Sequence, residues 1–170
     1  RIRLWEVAGT AHADEFQVGG VGDALGCPAP INAGQQHLVV KSALRHLDTW
    51  ARGGDAPPKA DLLTVEGSDP DLSFELDDVG NVLGGVRTPS VDAPVDVLSG
   101  LPAPGASVIC ILFGTTTPIP ADQLAARYGS PDDYLAAYEA ATDAAIDAGF
   151  VLPEDRDTAL AEAQPDRIAG

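Results

Sequence analysis

The sequence predicts an α/β fold in which this chain carries one end of a parallel sheet. Three features predict it. Residues 2–8 set Leu4, Trp5 and Val7 close together, the near-continuous apolar pattern of a strand covered on both faces. Residues 35–52 change to helical periodicity. Glycines and prolines fill the stretch between them, so the order is strand, loop, helix.

Gly9 ends the predicted strand, and Thr10-Ala11-His12-Ala13-Asp14 leaves at its carboxyl end, where open α/β sheets place their ligands. Residues 17–34 read as loop. Asn32 reads as a helix cap, with Gln35 three residues on. In the helix, Val40, Leu44, Leu47 and Ala51 form an apolar stripe flanked by Val39, Ala43 and Trp50. His37, Lys41, Arg45, Asp48 and Arg52 lie opposite. Gly53-Gly54 stops the helix and Pro57-Pro58 forces an extended connection. Trp5 and Trp50 read as core residues.

After Pro58 the character changes. Residues 62–66 and 72–77 read as short strands, Asp78-Val79-Gly80-Asn81 as a turn, and Val82-Leu83 as a returning strand. Residues 84–94 are too rich in Gly and Pro for regular structure. Residues 101–105 form another loop, and the apolar run 108–113 reads as strand or buried extended chain. Residues 121–128 predict a helix ended by Gly129. Ser130-Pro131-Asp132-Asp133 supplies a cap, an N1 proline and acids at the positive end of the next helix, which runs to Gly149. A last helix starts near Pro153 and fades at Pro165. Residues 1–58 are thus expected to be the end of a sheet, and 59–170 an extension that packs on or caps it, within one domain.

At 170 residues the chain can bury a core of its own, and 45% of it is hydrophobic. Acidic residues outnumber basic ones by 26 to 10, a formal net charge of −16, which repels phosphate backbones and anionic lipid. Nucleic-acid and membrane partners are therefore not expected. The run 106–113 is far shorter than the ~20 residues a membrane helix needs. The chain begins with Arg and contains no Met, so it is expected to be a piece of a longer protein.

Cys27 and Cys110 are the only cysteines, with no Cys-x-x-Cys spacing. They read either as two buried thiols or as one disulfide, which on a loop-entropy account would stabilise the chain by about 4–5 kcal/mol. The disulfide reading implies an oxidising, secreted or periplasmic, compartment.

The chemistry on offer is narrow. His12 and Asp14 offer two ligand types but not the set a metal site needs, and His37 and His46 fall on opposite sides of their helix. No metal or other cofactor is expected. No glycine cluster has phosphate-binding spacing. Nucleophilic catalysis fits better. His12 reads as a general base or as a loop histidine satisfied by nearby backbone, and Asp14 as a turn cap or a site residue. Arg87 reads as the partner of a surface acid or as a contact for a substrate carboxylate.

Arg3-Leu4-Trp5-Glu6-Val7-Ala8-Gly9-Thr10-Ala11-His12-Ala13-Asp14 resembles a signature of the bacterial "alpha/beta hydrolase domain" family of esterase-like proteins. Cys27-Pro28-Ala29-Pro30-Ile31-Asn32, Trp50-Ala51-Arg52-Gly53-Gly54-Asp55-Ala56-Pro57-Pro58, Gly84-Gly85-Val86-Arg87-Thr88-Pro89 and Leu112-Phe113-Gly114-Thr115-Thr116-Thr117-Pro118 are similar to it as well, in order. The resemblance implies the C-terminal portion of an α/β-hydrolase and hydrolysis of a small-molecule carboxylic ester through a serine acyl-enzyme. In that fold the triad runs serine, acid, histidine along the chain. No Gly-x-Ser-x-Gly occurs in these residues, so nucleophile and acid are expected upstream of residue 1. The missing N-terminal part of the same protein is then this segment's partner, and the segment alone is expected to be inactive. The alternative is a non-catalytic accessory or interaction domain in which His12 is incidental.

Overall fold

In the computed structural model, which describes residues 2–19 and 24–168, helices of the C-terminal third build one apolar core and anchor the rest of the chain. Helix α1 spans Glu15–Val18, α2 Gln36–Ala51, α3 Pro89–Asp92, α4 Ala121–Tyr128, α5 Pro131–Asp147 and α6 Arg156–Leu160. Leu124 of α4 and Tyr134 and Tyr138 of α5 pack with Val95, Ile119 and Ile168. Ser130 caps α5 as expected, its Oγ accepting the Asp133 N–H at 3.1 Å, with Pro131 in the first turn. The last helix is shorter than its periodicity suggests, because Pro165 opens a separate 3₁₀ turn, Pro165–Arg167. Among the described residues no helix is long and apolar enough to cross a membrane.

Helix α2 forms where its periodicity places it and stops at Gly53, but it is turned away from the orientation expected of it. Its buried residues are Leu38, Val39 and Ser42. Leu38 packs with Ala145, Val151 and Ala159. The polar side draws α2 onto the C-terminal segment: Lys41 meets Asp155 at 2.7 Å, Arg45 meets Glu154 at 2.8 Å, and the Ser42 hydroxyl donates to the Gly149 carbonyl at 2.7 Å. The predicted apolar stripe therefore faces outward, with Leu44 61% and Leu47 55% exposed. Nor does Asn32 cap this helix; Gln35 occupies the cap position without a side-chain hydrogen bond to the helix's first turn.

Residues 2–8, expected as a buried parallel strand, make one parallel bridge, Val7 with Val86. Ala8 N–H donates to Val86 O at 2.9 Å and Val86 N–H to Glu6 O at 2.7 Å. The partner is too short for more: Gly84-Gly85 precedes Val86 and the α3 proline follows at 89. Upstream, side chains hold the segment instead. Arg3 Nε donates to Pro57 O and Trp5 Nε1 to Pro58 O, each at 2.9 Å. Ile2 remains 83% exposed. The two tryptophans are half-buried rather than core: Trp5 lies edge-on to Phe150 at 5.1 Å, and Arg3 sits over Trp50 at 5.8 Å.

The expected return after the Asp78–Asn81 turn is a single antiparallel bridge, Leu76 with Val82, and the two preceding segments pair with each other. Strands β1 (Val65–Glu66) and β2 (Ser73–Phe74) pair antiparallel, and bridges Leu76 with Val82 and Leu63 with Gly84 extend the meander. Asp77 sets its turn, one carboxylate oxygen accepting the N–H groups of Val79, Gly80 and Asn81. The run 108–113 departs from expectation. It is neither strand nor buried: Cys110–Phe113 is a 3₁₀ turn in which only Cys110 and Phe113 are covered, and Val108 is 87% exposed. The strand falls just after it. Thr115–Pro118 (β4), with its β-branched threonines, pairs antiparallel with Asp96–Ser99 (β3).

Truncating Leu124 to Ala should cost about 2–5 kcal/mol of stability, whereas Leu44→Ser in this 170-residue chain should stay within about 0.5 kcal/mol; denaturant titration of both variants reads the difference. Alkaline pH gives a second check. Burial pushes the Tyr128 phenol up to about 12 and raises Tyr134 and Tyr138. Phenols of the unfolded chain ionise near ~10, so the unfolded state loses protons first. Stability should hold below about pH 10 and fall as pH rises toward 12, seen as tyrosinate absorbance appearing together with unfolding.

Candidate active site on the His12 loop

The turn after Val7 begins at Gly9, whose positive φ of 64° suits glycine and where a Cβ would stand 2.8 Å from Val91 Cγ2. From there the chain to Asp14 has no ladder of its own; other segments supply its hydrogen bonds. Thr10 Oγ1 donates to Val7 O at 3.0 Å, Gln36 Nε2 to Ala11 O at 3.0 Å, and Ala13 N–H to Leu112 O at 3.1 Å.

Asn32 ties these pieces together. It is fully buried. Its Nδ2 donates to Gly9 O and to Ser99 O, each at 3.1 Å, and its Oδ1 accepts Gly34 N–H at 2.8 Å. Its backbone N–H donates to Phe113 O and its carbonyl accepts from Glu15, each at 2.8 Å. One residue thus joins both flanks of the histidine loop to β3 and to the 3₁₀ turn. The backbones are close enough that a Cβ on Gly34, Gly100 or Gly114 would run into the carbonyl oxygen of Gly9, Thr10 or Ser99 respectively.

Cys27 and Cys110 are bonded to each other, 83 residues apart in sequence. The bond fastens the stretch leading to Asn32 onto the 3₁₀ turn whose Leu112 and Phe113 carbonyls hold Ala13 and Asn32. Asp14 closes the loop as a cap: its Oδ1 accepts Gln17 N–H at 3.0 Å while Gln17 Oε1 accepts Asp14 N–H at 3.2 Å. The other carboxylate oxygen, Oδ2, is buried without a partner.

His12 itself is exposed on this braced loop. Beside it, Leu112 and its neighbours Ile111, Ile109 and Val108 form an exposed apolar ridge. Arg87 belongs to a different constellation. It donates to Asp77, Asp92 and the carbonyls of Val82 and Val91, which occupies four of its five N–H groups and ties α3 to the meander. Three of the serines engage backbone or other polar side chains: Ser42 donates to Gly149 O, Ser90 pairs with Thr88, and Ser99 accepts from Leu101. His37 lies against Glu162 and His46 against Gly149 O, in separate surroundings.

Sequence reading missed the clamp. Asn32 was legible as a polar residue before a helix, and capping is what such residues most often do. The signal that could have found it is Gly34, whose missing side chain marks a close backbone approach two residues later.

The family model described as "Alpha/beta hydrolase domain" matches residues 1–161. No curated protein and no solved structure matches the chain.

Asn32→Ala removes two donors and an acceptor and strands buried carbonyls, each worth about 1–3 kcal/mol when left unpaired. The variant should lose at least about 2 kcal/mol, and amide exchange should quicken at Gly34 and Glu15 before it does in α5. Exchange that speeds equally in both places would show that Asn32 does not brace the loop specifically.

Proposed function

Because the chain belongs to the alpha/beta hydrolase domain family, we propose that it is the histidine-bearing C-terminal part of a serine carboxylic-ester hydrolase. The observation that carries the reading is His12: an exposed imidazole on a loop whose flanking backbone is hydrogen-bonded by Asn32, Gln36 and Leu112, directly after the segment that pairs with Val86. A general base must meet its nucleophile within hydrogen-bond reach, and a braced backbone with an open ring serves that purpose.

The nucleophile and the orienting acid lie upstream of residue 1 in this reading. The support is chain order, in which the histidine follows both, together with the lack of a Gly-x-Ser-x-Gly sequence in these residues. His12 takes the serine proton as the hydroxyl oxygen attacks the ester carbonyl. It then returns that proton to the departing alkoxide, leaving an acyl-enzyme. A water molecule, deprotonated by the same ring, attacks the acyl carbonyl; the bond to the serine oxygen breaks, that oxygen takes the proton back from His12, and the acid leaves.

The outward stripe of α2 supports the same view. A helix that follows the histidine strand in a hydrolase sheet uses its apolar face to cover the sheet. Here Val40, Leu44 and Leu47 stand exposed while the charged side of α2 is satisfied by Asp155 and Glu154. The remaining part of the same protein is the proposed cover. A self-contained, non-catalytic module would bury that face.

In the intact protein, His12→Ala should lower kcat for a p-nitrophenyl ester by about 10²–10⁴-fold. Because the ring is exposed, the thermal midpoint should hardly change. Undiminished turnover in the variant would remove His12 from the mechanism and with it this reading.

A further inference from the structure

The cleft bounded by α1, the start of α2 and the chain after α6 carries a second site. Its volume is about 320 Å³, and its walls include Glu15, Phe16, Gln35, His37, Tyr138 and Glu162. That size falls at the small end of ligand cavities, about 300–1,000 Å³. His12 is not among its walls.

The unusual feature is His37. Its side chain is only 9% exposed, yet neither ring nitrogen has a hydrogen-bond partner. Nε2 comes within 2.9 Å of Glu162 Oε1, but the approach does not make a directed hydrogen bond. The surrounding groups are already committed. Gln35 Nε2 donates to Tyr138 Oη and to Glu162 Oε2, each at 2.8 Å, and Gln35 Oε1 accepts Ser90 N–H at 3.1 Å. Phe16 lies flat on the imidazole, ring centres 3.9 Å apart and planes 9° from parallel, although Phe16 is itself 63% exposed. A buried imidazole held by an aromatic plate, with Nδ1 unpartnered and Nε2 against a carboxylate without a directed bond, is an arrangement that a ligand would complete.

The charge around the cleft selects the ligand. Two wall carboxylates, Glu15 and Glu162, face it without a lysine or arginine among the described wall residues. Asp96, also in the wall, is already paired with Arg167 at 3.1 Å. An anion would be repelled. A primary ammonium would find carboxylates, an aromatic face and, in the neutral imidazole, a nitrogen acceptor. Tyr134, Val95 and Leu98 offer apolar wall for a short organic body. We propose that this cleft binds a small primary ammonium compound, through Glu162, Glu15, His37 and Phe16, at a site separate from His12.

The test uses the intact protein with benzylammonium as probe, and benzoate and benzyl alcohol as size-matched controls. Calorimetry gives affinity, and ring ¹⁵N resonances of the histidines report where binding occurs. Benzylammonium should bind more tightly than either control and shift the His37 resonances while leaving His46 in place. Glu162→Gln should weaken it at least tenfold, equal to about 1.4 kcal/mol. Glu15→Gln, at an exposed position, should weaken it several-fold and carries the test if Glu162→Gln does not fold. His12→Ala should leave the affinity unchanged, so the hydrolase reading and this one fail separately. The proposal is overturned if no probe binds, if benzoate binds as well as benzylammonium, if both carboxylate variants retain full affinity, or if His12→Ala abolishes binding.

Discussion

The buried amide of Asn32 is the constraint on which the rest of the site depends. An asparagine side chain offers two donors and an acceptor, and inside a protein each must be met. Here they are met by three backbone segments that share no regular ladder: the turn at Gly9, the end of β3 at Ser99, and Gly34. The hydrogen bonds fix these segments relative to one another only because the backbones can come close, and glycines at 34, 100 and 114 allow that. The disulfide adds a covalent limit on the same junction. A loop that would otherwise be free to sample many conformations thereby holds one histidine in one place, and the ordering entropy is met by groups that never touch it.

Local signals in the sequence were read well where a single residue's stereochemistry decides the outcome. Ser130-Pro131 opening α5, Gly129 closing α4, Gly53 closing α2 and the Asp77–Asn81 turn all follow from capping, φ restriction or side-chain acceptance. Burial was harder to read, because it depends on what lies opposite. The stripe of α2 is a genuine amphipathic pattern, but the side that faces inward in this chain is the one carrying Leu38, Val39 and Ser42, where Leu38 packs on Ala145, Val151 and Ala159. Apolar residues 108–113 failed as a strand for a related reason. Pairing with β3 went to the threonines next in line, and the disulfide and Phe113 hold the run as a turn.

Only part of the candidate site was legible in the sequence. His12 stood out because the chain leaves an apolar segment through small residues to reach it, and Asp14 behaves as the cap its type favours. Asn32 did not stand out, since its partners are carbonyls 23 and 67 residues away in sequence, beyond the reach of any local pattern. Arg87 drew notice for sitting between glycine and proline. The ion pairs that absorb it come from Asp77 and Asp92, and no spacing rule links an irregular segment to a turn ten residues earlier. His37 was read only for its phase on the helix. Its interest comes from Phe16 and Glu162, which reach it from separate parts of the chain.

The outward face of α2 has a consequence for how copies of this chain behave toward each other. Lys41, Arg45, Arg52, Arg87, Arg127, Arg156 and Arg167 each lie against one of the chain's own carboxylates, so most of its positive charge is neutralised internally. The net charge of −16 is left to the outer surface. Two such particles repel before their apolar faces can meet, over a range of about 8 Å at physiological ionic strength. The exposed leucines are therefore shielded from their own kind by electrostatics, a colloidal barrier that a tethered segment of the same protein would cross far more readily than a free second copy.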